Sequence, residues 1–354
     1  MDRLLRAVPA AVGLGLALPA SALAHGAEVP PAPDAATFLA WSADPTVLVP
    51  LLVSLVLFLW LVRRVDRAHP ASPVPRRRVL AFLGALAAVL LALQSPIERY
   101  DTTLFSVHML QHILLMFVAA PLLALSAPIT LLLRAADGRT RTRILLPILH
   151  SRFLKVLAFP VVSWAIFAGV MWGSHFSPLF DAALEDPLVH DLEHLLFLGA
   201  AILFWWPALA VDPVPWRMPY PARIAYLFLQ MPQNTFLSVA IYGASAPLYA
   251  HYATLGRAWG PSVLADQQAA GALMWVLGDV AFLAAVLGVV VVWLRSEERD
   301  AVRREARVDV ERAAIRERER RLAERRRLEA AEAMEATEAA EARPEGTGGA
   351  GDGP

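Results

Sequence analysis

Seven apolar stretches, each close to the length that crosses a lipid bilayer, recur between Pro45 and Leu294. They lie near Pro45–Val62, Val79–Gln94, Leu104–Leu125, Leu154–Gly173, Leu188–Val211, Ile224–Ala244 and Ala269–Leu294, the second being short. A helix of about 20 apolar residues spans the hydrocarbon layer. Lipid offers no partner to a bare backbone N–H or C=O, so runs of this length must satisfy themselves as helices. The expected fold class is therefore an all-α integral membrane protein, a seven-transmembrane-helix bundle. Composition agrees, with 57% hydrophobic residues, 18% charged residues and a mean hydropathy of +0.49.

Basic residues set the expected orientation. Arg63, Arg64, Arg67, Arg76, Arg77 and Arg78 follow the first stretch, and Arg134, Arg139, Arg141, Arg143 and Arg152 follow the third. The alternate connections carry Asp181, Glu185 and Asp186, or Arg257 alone. This asymmetry predicts the N-terminus outside and the C-terminus inside. Pro121 and Pro128 interrupt the inner end of the third stretch, since proline breaks or kinks a helix. Trp205 and Trp206 read as interfacial anchors, with Pro207, Pro213 and Pro215 ending the fifth helix.

Arg3 and Arg6, the apolar run Ala7–Ala20 and Ser21-Ala22-Leu23-Ala24 read as a signal peptide, residues 1–24. Cleavage there leaves His25 as a new N-terminus whose amine and imidazole can chelate Cu(II). The expected organisation is then an extracytoplasmic segment 25–44, a membrane domain 45–294, a charged cytoplasmic helix 295–343 and a disordered tail 344–354. Nearly half of the charged residues follow Leu294. They alternate in sign, with pairs such as Asp300/Arg304 and Glu317/Arg321 at helical spacing. Val308, Ile315 and Leu322 recur every seven residues, so both a plain charged helix and a coiled coil stay open.

Seven of the nine histidines fall on the expected outer side. His108 and His112 form one HxxxH pair and His190 and His194 another, each opening an apolar stretch. Residues four apart share one helix face, with Cβ atoms about 5–6 Å apart, so two imidazoles can meet one ion. His175, His251 and Met274 are further candidate ligands at the same level. Asp266, Glu193, Gln111 and Gln267 are placed to orient the imidazoles, and Glu98 and Asp101 can do the same from the preceding loop. Ionisable groups at such positions mark function. Asp279 stands midway through the last stretch, with Gln230, Gln233 and Asn234 as partners for either a structural contact or an ion path.

The chain has no cysteine, which excludes disulfides, thiolate ligands and iron–sulfur clusters. Imidazole with thioether, facing an oxidising compartment, suits copper best. The pairs read HMLQH and HDLEH, so the HExxH of a zinc protease is missing. Its one lysine, Lys155, lies at a helix end, which excludes a retinal protein. A copper transporter and a haem-binding membrane redox protein remain as alternatives.

Three blocks occur in order: HMLQHILLMFVAAPLLALSAP, HDLEHLLFLGAAILFWWP and ADQQAAGALMW. Together they resemble the polytopic CtaG family of bacterial cytochrome c oxidase assembly factors, over about Trp41 to Leu294. The resemblance implies a multi-pass plasma-membrane protein that is not an enzyme. It implies cytochrome c oxidase subunits as partners beside membrane lipid, with copper supply as the role. A soluble extracytoplasmic copper donor fits that role, and nucleic acid does not. Its signature positions fall on His108, Gln111, His112, His190, Glu193, His194, Asp266, Gln267 and Met274.

Overall fold

The computed structural model describes residues 29–341. The expected signal peptide, the His25 amine and the 344–354 tail lie outside the described residues. Among the described residues all regular structure is helical. The chain divides into two compact units, one ending at Val290 and one starting at Val291.

In the first unit, α1 (Pro45–Ala68) and α2 (Arg76–Gln94) are followed by a short helix, Pro96–Tyr100. Helix α3 is the 31-residue stretch Phe105–Ala135. Next come α4 (Pro160–His175), α5 (Pro187–Leu209), α6 (Tyr220–Phe228) and α7 (Gln230–Tyr242). The last helix, α8, starts at Val263 and ends at Glu341. Side-chain caps fix several starts. Asp44 accepts from Thr46 N at 2.8 Å, and Asp186 accepts from Leu188 N and Val189 N at 2.8 and 3.2 Å. In both cases proline follows at the first helical position, where its missing N–H costs nothing.

Five helices are long and apolar enough to cross a membrane: α1, α2 with its short extension, α3, α5 and α8. The other two expected stretches are helical but interrupted. Phe159 takes an extended conformation ahead of Pro160, so the chain breaks between Arg152–Leu157 and α4. The 16 residues of α4 cover only about 24 Å at 1.5 Å per residue. Pro232 cannot donate to Phe228 O and its ring crowds that carbonyl, which separates α6 from α7 at Leu229.

Proline also shapes α3. Pro121 removes one donor, and Leu114–Ala119 form a wider π turn. The carbonyl of Met116 accepts instead from Trp205 Nε1 at 2.9 Å. Trp205 is 1% exposed, so it is a core residue and not the interfacial anchor expected from its position. Pro207 does not end α5, which runs on to Leu209 and stops where Ala210 turns left-handed (φ 45°). Ala127 is left-handed too, just before Pro128, and Asp212 then caps the new start through Ile129 N (3.0 Å) and Thr130 N (2.7 Å).

The core is aromatic at its centre. Phe167 stacks on Phe204 at 4.6 Å, and Phe282 meets Phe117 edge-on at 5.2 Å. The outside is apolar as well. Leu52, Val56, Leu80, Leu188, Phe236 and Leu287 are all more than half exposed. An apolar belt of this extent suits lipid and not water.

In the second unit most described residues of the helix are exposed, and it is laced with ion pairs. Glu317 meets Arg320 and Arg321 at 2.9 Å each. Asp300 pairs with Arg303 at 3.8 Å, one residue short of the expected Arg304, which reaches back to Glu297 at 3.8 Å. Val308, Ile315 and Leu322 are exposed.

Candidate metal centre

The polar residues converge at the end of the first unit where α3, α5 and α8 begin. Helix α3 has no cap from its own neighbours. Asp266, near the start of α8, supplies one, accepting from Phe105 N at 2.7 Å and from Ser106 Oγ at 2.5 Å. That bond fixes the first turn of α3 one turn before His108. Gln267 lies beside it and holds the neighbouring connection, accepting from Leu248 N at 2.8 Å and donating to Ile241 O at 3.3 Å. Asp266 and Gln267 thus position backbone, and neither is hydrogen-bonded to an imidazole.

The two HxxxH pairs face each other across α3 and α5. Ring centroids are 4.3 Å apart for His108–His112, 4.2 Å for His190–His194, 5.2 Å for His108–His190 and 5.7 Å for His112–His194. Glu193 sits among them. Its Oε2 lies 3.7 Å from His108 Nε2 and 3.9 Å from His112 Nε2, while its Oε1 accepts from Ser174 Oγ at 2.5 Å. One donor atom each from His108, His190 and Glu193 falls within a 4.8 Å span, and so does one each from Glu98, Asp101 and His190.

All of these side chains except Glu98 are buried, and the bonds they lack are informative. Neither ring nitrogen of His108 or of His112 makes a hydrogen bond, and neither does Glu193 Oε2 or Asp101 Oδ2. A buried polar group left so costs about 1–3 kcal/mol, and native interiors rarely tolerate it. The Nε2 atoms of His108 and His112 both face Glu193 Oε2, at 3.7 and 3.9 Å, an arrangement that a cation would satisfy, while Asp101 Oδ2 faces His190. The donor set is imidazole nitrogen plus carboxylate oxygen, which fits copper(II) or zinc, with copper bound more tightly on the same ligands.

The surroundings fix orientation. Gln111 donates through Nε2 to Ala92 O (3.1 Å) and Glu98 Oε2 (2.5 Å), so its Oε1 accepts from His194 Nε2 at 3.0 Å. That bond commits His194 Nε2. His190 Nε2 lies 3.9 Å from Asp101 Oδ2. Burial, then the charge of Glu98, pushes the Asp101 carboxyl well above the ordinary carboxylate range. Tyr252 donates to Asp101 O at 2.7 Å, and its own buried phenol is pushed up well beyond ordinary values.

The remaining candidates stand apart. His251 Nε2 bonds to Thr102 O at 2.8 Å and its backbone N to Asp181 at 3.2 Å, so it braces the loops. His175 and Met274 line a small neighbouring cavity that His112 also touches. Asp279 accepts from Asn234 (3.1 Å) and Thr235 (2.9 Å). Sequence reasoning missed Thr235 there, and missed Ser174 as the partner of Glu193. Ser174 carries no signal of its own, since serine next to a helical histidine is commonplace.

The fold and the site define a class: a helical membrane protein that buries imidazoles and a carboxylate at one end of its bundle. The chain belongs to the cytochrome c oxidase caa3 assembly factor family (Caa3_CtaG), whose model matches residues 56–296. An uncharacterized protein of Mycobacterium bovis is 32% identical over 242 residues, covering 66% of this chain and 37% of that protein. One of Mycobacterium leprae is 30% identical over 292 residues, covering 80% and 44% respectively. The chain thus spans roughly two-fifths of the length of the curated relatives it matches. No solved structure matches it.

Proposed function

We propose that the chain binds copper at this end of its bundle and supplies it to a maturing cytochrome c oxidase, without catalysing a reaction itself. The observation that carries the reading is the convergence of hydrogen-bond-free nitrogens of His108 and His112 on the open carboxylate oxygen of Glu193. His190 completes the donor set, and His194 helps to hold it through Gln111. In this reading α4 and the α6–α7 pair also cross the membrane, giving seven spans. The arginine-rich connections then lie inside, so the histidine end faces outward, where copper arrives and the oxidase is built. A soluble extracytoplasmic donor fits as the source.

Ligands drawn from two rigid helices hold an ion firmly, while a carboxylate that lacks close bonds to both imidazoles can let one go. Delivery requires both properties. The test is His108→Ala with His112→Ala in the producing cell. The variant should remain in the membrane at normal level while mature oxidase falls at least tenfold. Normal oxidase in that variant would end the proposal. The contact between Asn234 and Asp279 supports a second reading, transport through the bundle, and copper uptake into sealed vesicles separates it from delivery at one face.

A further inference from the structure

Next to the imidazole–carboxylate cluster is a cavity of about 10 Å³, walled by Met109, Met116, Met171, Met274, His112 and His175 among others. Four of the chain's eight methionines therefore meet at one point. They come from α3, α4 and α8, and none is more than 4% exposed. The space is about that of one water-sized sphere.

The orientation of His175 says what such a space can hold. Its Nδ1 lies 2.7 Å from Met171 O, and a carbonyl can only accept, so the proton is on Nδ1. Nε2 of the neutral ring then carries a bare lone pair. It points at Met109 Sδ from 3.4 Å, and a thioether has no proton to give. Two acceptors face each other, in a side chain that is 3% exposed. A water there can reach His175, His112 and the unbonded Oδ1 of Asn234, but it leaves the four thioethers, which are weak acceptors, without a strong partner. A cation that accepts sulfur and imidazole nitrogen together satisfies both the thioethers and His175.

We infer that this cavity is a site for one soft monovalent cation, Cu(I) or its analogue Ag(I), bound by His175 Nε2 and methionine thioethers, Met109 first among them. Thioether ligands select Cu(I) over harder ions, so the site differs in kind from the nitrogen–oxygen cluster and stands whether or not that cluster holds metal. His112 belongs to both places, lining the cavity while its Nε2 lies 3.9 Å from Glu193. An ion leaving one set of ligands would meet the other through that one side chain.

The experiment loads the purified full-length protein with Cu(I) under reducing conditions and reads its X-ray absorption spectrum. Wild type should show sulfur and nitrogen around copper. Met109→Leu, Met171→Leu and Met274→Leu together should remove the sulfur signal and one equivalent of Cu(I). Leucine conserves the volume, and swaps of this kind are well tolerated in packed cores. His108→Ala with His190→Ala should leave the sulfur-bound ion in place, which separates this site from the cluster. Only nitrogen and oxygen around copper in wild type, or an unchanged copper count in the leucine variant, would overturn the inference. It would mean that the methionines pack the core and that a protonated His175 donates to Met109. Should the leucine variant fail to fold, copper–selenium scattering in selenomethionine-labelled wild type makes the same decision.

Discussion

Glu193 and Glu317 are the same residue in opposite settings. The Glu193 side chain has no exposure and stands 3.7 and 3.9 Å from two imidazoles, with one oxygen lacking any hydrogen bond. The Glu317 side chain is 41% exposed and holds two guanidinium groups at 2.9 Å. By distance alone Glu317 has the better partners. Yet exposed pairs contribute about 0–1 kcal/mol each, because water and salt screen them. Glu193 has lost its water and has no close cation in return, a state that costs several kcal/mol when nothing compensates. The longer contacts therefore fall where a bound cation would gain most, in line with the proposed site, and the shorter ones mark a solvated helix.

The largest expected effect falls on Glu193 itself. Glu193→Gln keeps the volume and a hydrogen bond to Ser174 but removes the charge. Copper affinity should fall by about 100-fold or more, beyond the 10–100-fold typical of residues that only orient ligands. Competition with a chromogenic chelator measures it, and unchanged affinity would make Glu193 as inert as Glu317. Next is Gly271→Ala, which would put a Cβ 2.8 Å from Tyr242 N and 2.9 Å from Ser238 O, both backbone atoms that cannot swing aside. Forcing α7 from α8 should cost about 1–3 kcal/mol, read as a lower midpoint of thermal unfolding in detergent.

Asp266→Ala should have a smaller effect. It removes the cap on α3, at about 1–2 kcal/mol, and lets the turn before His108 fray. Copper affinity should drop with stability, and Asp266→Asn should recover part of both. The smallest effect is expected from Glu317→Ala, within about 0.5 kcal/mol of wild type and with copper affinity unchanged. A clear loss there would show that the exposed helix has a docking role that its ion pairs do not reveal.

Much of this arrangement was legible in the letters. Helical periodicity alone puts His108 with His112 and His190 with His194, because i and i+4 share a face whatever the tertiary fold. Gln111 and Glu193 sit inside the same motifs and were legible as their neighbours, though not their different jobs: Gln111 bonds to His194, and Glu193 takes the centre. Asp266 and Gln267 were visible as polar residues at the same level, but their bonds to Phe105 and Leu248 depend on how helices far apart in sequence dock. His251 misled for the same reason, since a loop histidine at the right level can turn to any carbonyl. Met171 was missed because methionine in an apolar helix reads as filler; its place four residues before His175 was the available clue. The interrupted helices could have been foreseen from Pro160 and Pro232, whose local effect hydropathy averages away.

The most direct test of the central claim is a copper count on purified protein, beside the variant in which His108, His112, His190 and His194 are all alanine. Copper should be bound at the cluster in wild type and lost in the variant, with any thioether-bound Cu(I) remaining. Equal copper in the two proteins, or none at the cluster in either, would contradict it and leave the buried imidazoles as packing groups.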